Sequence, residues 1–177
     1  RSEHQVPVVS TAPSMQGQTV RLYVREIAPS GVGRRPVVLF VHGAGTPAEV
    51  SFDSKMDDYS WMRQVARAGF DVFSVSLTGY GGSTRPAAMA NPCNLSKAQQ
   101  RGYVAAPCEP DRRLPLTTMS SDWDDIAAVV DQLRTLRNVD KVSLVGWSQG
   151  GSRITGYAAR NPGKVERIVV LAPAYNR

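Results

Sequence analysis

The feature that most constrains this chain is the pentapeptide Gly146-Trp147-Ser148-Gln149-Gly150, which separates a strand pattern from a helix pattern. Residues 141–145 before it are rich in β-branched types, and residues 151–160 after it are followed by Asn161-Pro162-Gly163, which ends a helix. At such a junction a serine between glycines forms a strained turn that presents its hydroxyl above the sheet edge. We therefore predict that Ser148 is a nucleophile; the alternative is a surface loop that contains serine and glycine by accident.

Composition and charge narrow the class of protein. The chain has 177 residues, of which 42% are hydrophobic and 20% charged, as expected for one soluble globular domain. No apolar run approaches the ~20 residues that a membrane span needs. The net charge of +6 is spread in singles and pairs, which indicates a solvated basic surface. We expect no nucleic-acid partner and no membrane span.

The periodicity predicts an α/β fold with a mostly parallel sheet and helices on both faces. Residues 19–26 alternate like a half-exposed strand, whereas residues 36–41 are continuously apolar, as in a strand buried on both faces. A helix is predicted over 58–68, with Trp61, Val65 and Ala68 on one stripe and Met62 and Ala66 beside it.

A longer helix is predicted over 122–137, with Ser120 or Ser121 as its N-cap. Asp122, Asp124 and Asp125 complement the positive end of its dipole, so we assign them a structural role rather than a catalytic one.

Three segments carry a resemblance to the α/β-hydrolase family. The apolar run 36–41 ends in His42-Gly43-Ala44-Gly45, which resembles the family's third strand and its oxyanion loop. Residues 69–83 resemble the next strand and its glycine-rich exit, and residues 165–173 resemble the strand after the nucleophile helix. The resemblance covers about residues 20–175 in the family's order. It predicts an N-terminal tail over 1–18 and the N-terminal portion of a hydrolase domain over 19–177, with an unaligned excursion at about 84–118.

The resemblance also implies how the site works. Ser148 would attack a carbonyl and form an acyl-enzyme, and backbone N–H groups would stabilise the oxyanion. By motif position these donors are Gln149 and Ala44, with Gly45 as the alternative to Ala44. The residues expected to support the motif without chemistry of their own are His42, Gly43, Gly146 and Gly150.

No residue of this chain matches the family's general base. The chain has only two histidines, His4 and His42. In the family the histidine of the His-Gly motif supports the loop, and His4 lies in the predicted tail. The triad order places the acid and the base after strands beyond Ile168. We therefore expect a C-terminal segment or a second chain to supply them, so the fold is expected to be incomplete on this chain.

The nucleophile type selects the reaction. Relatives that open epoxides or remove halogens place an aspartate at this position, so Ser148 favours hydrolysis of a carboxylic ester, either a small molecule or a polymer. The alternatives are an acyltransferase, perhydrolase, peptidase or C–C bond hydrolase, and a ligand-binding module without catalysis. No cofactor is expected, and no metal, because two cysteines and two distant histidines have no ligand spacing. Tyr80 and residues 84–116 are expected to border the acyl pocket.

Cys93 and Cys108 are the only cysteines, and both lie in the excursion beside prolines. We predict a disulfide between them, worth about 3 kcal/mol against the unfolded chain; two free thiols are the alternative. A disulfide predicts a secreted or periplasmic protein, and free thiols a cytoplasmic one.

Overall fold

In the computed structural model, which describes residues 1–29, 33–56, 58–111 and 115–174, six strands form one mixed sheet. The order across the sheet is β1-β2-β4-β3-β5-β6. The strands, in chain order, are β1 (Ser2–Val9), β2 (Thr19–Ile27), β3 (Val37–Val41), β4 (Asp71–Ser76), β5 (Val142–Trp147) and β6 (Val165–Leu171).

Strands β4, β3, β5 and β6 run parallel, and β1 and β2 add an antiparallel pair at one edge. The predicted mostly parallel sheet is therefore confirmed. Every residue of β3 is buried, as its continuous apolar sequence predicts. Val41 at the end of β3 pairs with Gly146 near the end of β5. The loop after β3 and the turn after β5 therefore emerge side by side.

Helices lie on both faces of this sheet, as predicted. They are α1 (Ala48–Phe52), α2 (Trp61–Arg67), α3 (Lys97–Gln100), α4 (Met119–Arg137) and α5 (Gln149–Arg160), with short 3-10 turns at Pro13–Met15, Ala87–Met89, Pro92–Asn94 and Pro162–Lys164. The larger core packs α4 and α5 on one face, around Phe73, Leu144 and Ile126. The smaller core packs α1 and α2 on the other face, around Phe40 and Met62.

The N-terminal residues differ from the tail expected over 1–18, because β1 pairs along its whole length with β2. On β1 only Val6 is buried and Val8 is partly buried against the core, so the apolar pattern of the strand is too short to be recognised from the sequence. His4 on this strand contacts Glu26 of β2, with 2.7 Å between His4 Nε2 and Glu26 Oε2.

Two helices also differ in detail from the sequence-based expectation. Helix α4 begins at Met119 rather than Asp122, because Thr118 has an extended backbone and forms a capping box with Ser121. Helix α2 buries Met62 and Ala66, whereas Trp61 of the predicted stripe is 48% exposed.

The excursion at 84–118 is held together by polar groups and a disulfide. Cys93 and Cys108 are bonded, as predicted. The buried side chain of Gln100 lies between them, donating to the Cys93 and Cys108 carbonyls and accepting from the Cys108 N–H. Residues 112–114 of the predicted excursion and residues 175–177 of the predicted domain lie outside the described residues. In the portions that are described, no helix is long and apolar enough to cross a membrane.

Candidate active site

Ser148 occupies a sharp corner between β5 and α5. Its backbone angles are φ 55° and ψ −122°, a conformation that costs a non-glycine residue free energy and persists only when the surroundings impose it. The surroundings are backbone groups at the end of β6 and just after it. The Ser148 N–H donates to the Leu171 carbonyl at 2.9 Å, and the Ser148 carbonyl accepts from the Ala174 N–H at 3.1 Å. Main-chain contacts therefore fix the corner.

Gly146 and Gly150 allow strand and helix to approach closely at this corner. A Cβ added to Gly146 would lie 2.4 Å from the Gly150 carbonyl oxygen, and one added to Gly150 would lie 2.2 Å from the Val41 carbonyl oxygen. Real side chains never come this close to backbone, so both positions need glycine for space.

The loop after β3 passes directly over the serine. A Cβ on Gly43 would lie 2.9 Å from Ser148 Cβ and 3.4 Å from Ser148 Oγ. Ala44 and Gly45 follow on the exposed side of the loop. Gln149 is the first residue of the 12-residue helix α5, where amides have no partner within the helix. Within the described ranges, neither the Ala44 N–H nor the Gln149 N–H donates a hydrogen bond to a protein group. At the N-terminus of α5 the helix dipole favours a negative charge near the Gln149 amide.

His42 is fully buried beneath this loop, with both ring nitrogens engaged. Its Nε2 accepts from the Leu77 N–H at 3.1 Å, so the ring proton is on Nδ1, which donates to the Gly43 carbonyl at 2.7 Å. Burial, helped by the positive charge of Arg153, lowers the pKa of His42 to about 4. A neutral imidazole held at both nitrogens supports the loop and is not placed to deprotonate Ser148. His4 lies on β1, with β2, β4 and β3 between it and β5.

Arg153 is the residue that sequence reasoning missed. It lies on α5, is 3% exposed, and its Nη1 donates to the His42 carbonyl at 2.9 Å and the Gly43 carbonyl at 3.1 Å. Its Nε donates to Asp122 Oδ2 on α4 at 2.7 Å. The available signal was an arginine on the inward face of a helix between Gly150 and Ile154, all three of them buried. Asp122, assigned above to the helix dipole, is thus also the partner of a buried cation.

The loop after β4 completes the border of the site. Asp125 of α4 is buried and accepts from the Thr78 N–H at 2.9 Å. Burial raises the pKa of Asp125 to about 6. The Tyr80 ring packs against the His42 ring, with 4.4 Å between their centroids. Tyr80 therefore lies against the loop over the serine.

An apolar cavity of about 310 Å³ opens beside the corner, next to the Trp147 side chain. It is lined by Thr46, Val50, Ser51, Phe52, Trp61 and Trp147. A separate cavity of about 520 Å³ lies at the opposite end of the parallel strands, where β3 and β5 begin, and does not concern Ser148. Among the residues described, no group of three or more His, Cys, Asp and Glu side chains is placed to hold a metal ion.

Comparison with known families agrees with this geometry. Residues 36–177 match the model of the alpha/beta hydrolase fold family. Because this match covers most of the chain, the chain belongs to that family.

The chain is also similar to particular proteins. It is 29% identical over 162 residues to the AB hydrolase superfamily protein YisY of Bacillus subtilis, covering 89% of this chain and 44% of the relative. A probable hydrolytic enzyme from Pseudomonas aeruginosa superposes with a TM-score of 0.63 at 22% identity, over 97% of this chain and 41% of that one.

Two further solved structures carry names that describe an activity. An epoxide hydrolase from Vigna radiata has a TM-score of 0.58 at 20% identity, covering 95% of this chain and 39% of that one. A carboxylesterase structure from Nitrososphaera gargenis has a TM-score of 0.57 at 18% identity, covering 95% and 45%. At these identities the likeness concerns the fold alone. The chain spans less than half the length of each of these four proteins.

Proposed function

We propose that the protein is a serine hydrolase that cleaves carboxylic esters through an acyl-enzyme on Ser148. The observation that most supports the proposal is the backbone-held corner at Ser148, with Gly43 packed against its side chain. Such a corner stores conformational free energy, and strained residues of this kind cluster at active sites.

In the proposed reaction a general base removes the Ser148 hydroxyl proton while Oγ attacks the ester carbonyl carbon. The carbonyl oxygen becomes negative and binds the N–H groups of Ala44 and Gln149. Collapse of the tetrahedral intermediate expels the alcohol, which takes the proton back from the base, and water then hydrolyses the acyl group in the same way. Each oxyanion donor is worth on the order of 3 kcal/mol of barrier height.

The base and its acid belong, in this proposal, to a C-terminal segment or a second chain. Neither histidine of these 177 residues is arranged for the role. His42 is committed to Leu77 and Gly43, and His4 contacts Glu26 on the far strands of the sheet. The matched relatives are more than twice as long as this chain, which leaves room for further strands in the complete protein.

Hydrolysis of a carboxylic ester is preferred over epoxide opening, although structures with both names share the fold. The preference rests on Ser148, since the resemblance implies an aspartate at this position in epoxide hydrolases. The cavity beside Trp147 offers an apolar surface for part of the ester. An acyltransferase or peptidase would use the same groups, and a binding module would need only the cavity.

The test uses the protein expressed from its complete gene. We expect a fluorophosphonate probe to label Ser148 alone, p-nitrophenyl butyrate to be hydrolysed and styrene oxide to be left unchanged. Ser148→Ala should lower kcat by several orders of magnitude with little change in thermal stability, because the change removes one hydroxyl from a half-buried corner.

Different outcomes would favour different alternatives. Folded protein without label or turnover would favour the binding module, and labelled protein that transfers the acyl group to an added alcohol would favour the acyltransferase. Loss of folding in Ser148→Ala would mean that the serine is structural.

The Cys93–Cys108 disulfide supports a secreted or periplasmic location, because such bonds persist in oxidising compartments. Peptide mapping without reduction of protein from its native source should find Cys93 and Cys108 joined to each other. Free thiols at both positions would contradict this location.

A further inference from the structure

The orientation of the peptide between Gly43 and Ala44 is set from beneath the loop. The Gly43 carbonyl accepts from Arg153 Nη1 at 3.1 Å and from His42 Nδ1 at 2.7 Å. A trans peptide is planar, and its N–H points away from its carbonyl. The two donors that hold the Gly43 oxygen in the interior therefore direct the Ala44 N–H toward the opposite side, where the loop is exposed.

We propose that Arg153 is a positioning residue that aims the Ala44 N–H at the oxyanion. This inference rests on the proposed function. Arg153 lies on α5, the helix that begins with the other predicted donor, Gln149. One guanidinium thus ties the loop carrying one donor to the helix carrying the other. These Arg153 contacts fix the distance between the Ala44 and Gln149 N–H groups. Both groups can bind one oxygen only if that distance is right.

The chemistry of the contact argues for more than packing. A buried guanidinium costs free energy that an apolar side chain at the same place on α5 would not. Among the described residues its one ion-pair partner is Asp122, the centroid of the Tyr80 ring lies 5.7 Å from the guanidinium carbon, and Nη1 donates to two loop carbonyls. A hydrogen bond from a charged donor is stronger than a neutral one, and it polarises the peptide it contacts. The polarised Gly43–Ala44 peptide becomes a better N–H donor.

The experiment compares Arg153→Met, Arg153→Lys and Arg160→Met in the product of the complete gene, with p-nitrophenyl butyrate as substrate. Arg160 is the matched control, because it is exposed on the same helix and lies over the Trp123 ring, away from the loop. Complete loss of an oxyanion donor lowers kcat by about 10²–10³-fold. For a donor that is misdirected rather than lost, we expect Arg153→Met to lower kcat by about 10–100-fold and KM to change by less than about threefold.

Arg153→Lys keeps the charge but lacks the planar fork that holds Asp122 and the carbonyls together, so its kcat should lie between those of wild type and Arg153→Met. Arg160→Met should match wild type. A boronic acid that forms a tetrahedral adduct on Ser148 should lose affinity by the same factor as kcat, while inhibition by butyrate stays constant. A purely structural role would not separate these two ligands.

A folded Arg153→Met protein with wild-type kcat and boronic acid affinity would overturn the inference. If Arg153→Met does not fold, Arg153→Lys and Asp122→Asn decide by the same two readouts, since the introduced asparagine would still offer an oxygen to Arg153 Nε. If the wild-type protein is neither labelled at Ser148 nor active, the proposed function is wrong, and this inference, which rests on it, is wrong as well.

Discussion

At the scale of single residues, the site depends on groups whose ionisation is set by burial. His42 stays neutral mainly because burial disfavours a charged ring, and also because protonation would place a second cation beside Arg153. Asp125 is a carboxyl group buried at the start of the helix that also carries Asp122 and Asp124. These residues hold the loops after β3 and β4 and do not themselves face the proposed substrate.

Because the Asp125 carboxyl group is buried, we expect the free energy of unfolding to depend on pH. Burial raises its pKa from 3.8 to about 6, so the folded protein holds the proton more tightly than the unfolded chain does. The Asp125 carboxyl group therefore raises the free energy of unfolding at low pH, and this stabilisation is lost as the pH rises through 6. In urea unfolding, the stability of wild type relative to Asp125→Asn should fall by about 2 kcal/mol between pH 4 and pH 7.

Asparagine cannot ionise but keeps an oxygen for the Thr78 N–H, so the comparison isolates the charge. The control is Asp124→Asn on the exposed side of the same helix, which reports the effect of removing any aspartate from this turn. Parallel stability curves for wild type and Asp125→Asn across this range would contradict the prediction.

At the scale of elements, the excursion between β4 and α4 differs from the rest of the molecule. It has short helices, exposed apolar side chains such as Leu95 and Tyr103, and a centre formed by Gln100 and the disulfide. A segment with so little apolar burial depends on its cross-link for order.

Reduction of the disulfide should therefore loosen this segment and leave the sheet intact. The bond joins residues 15 apart, for which chain entropy predicts about 3 kcal/mol of stabilisation. Limited proteolysis should cut the reduced protein, or the variant Cys93→Ser with Cys108→Ser, within 84–118 at least tenfold faster than the oxidised protein. Because the chain has no other cysteine, reductant should have no further effect on the double variant. Equal cleavage of oxidised and reduced protein would contradict this prediction.

The elements that sequence reasoning found are those with strong local patterns. The apolar runs of β3 and β4 and the i, i+3, i+4 spacing of α4 are visible without a partner. Strand β1 has only a short pattern of this kind, because it lies at the edge of the sheet and packs Val6 and Val8 against the core. Arg153 was missed for a related reason: its role follows from carbonyls more than a hundred residues away, and no local spacing reveals them. The corner at Ser148 was predictable because its glycines and its serine are adjacent in sequence.

At the scale of the whole molecule, the sheet is unevenly covered. Strand β6 pairs with β5 on one side only, within the part of the chain that the structure describes. Ile168 and Val169 are 44% and 50% exposed, and successive strand residues point to opposite faces, so both faces of β6 are open near its middle. An exposed apolar edge of this kind promotes association with another chain.

We therefore expect active protein from its native source to contain polypeptide in addition to these residues, covering β6. Intact-mass spectrometry should find either a longer chain or a companion chain that co-purifies with activity. Hydrogen exchange should show that the β6 amides directed away from β5 are protected in that active protein and unprotected in a protein of these 177 residues alone. A single 19.2 kDa species with full esterase activity would contradict this expectation.

The corner at Ser148 has a consequence for how such proteins diversify. Its shape is imposed by main-chain partners at Leu171 and Ala174 and by the lack of side chains at Gly146 and Gly150. None of these contacts involves the side chain of residue 148. The fold thus fixes the position of residue 148 and leaves the choice of its side chain open. Substitution of residue 148 alone can replace the hydroxyl by a carboxylate or a thiol without changing the backbone of the corner. This gives a physical reason why structures named as carboxylesterases and as epoxide hydrolases share one fold.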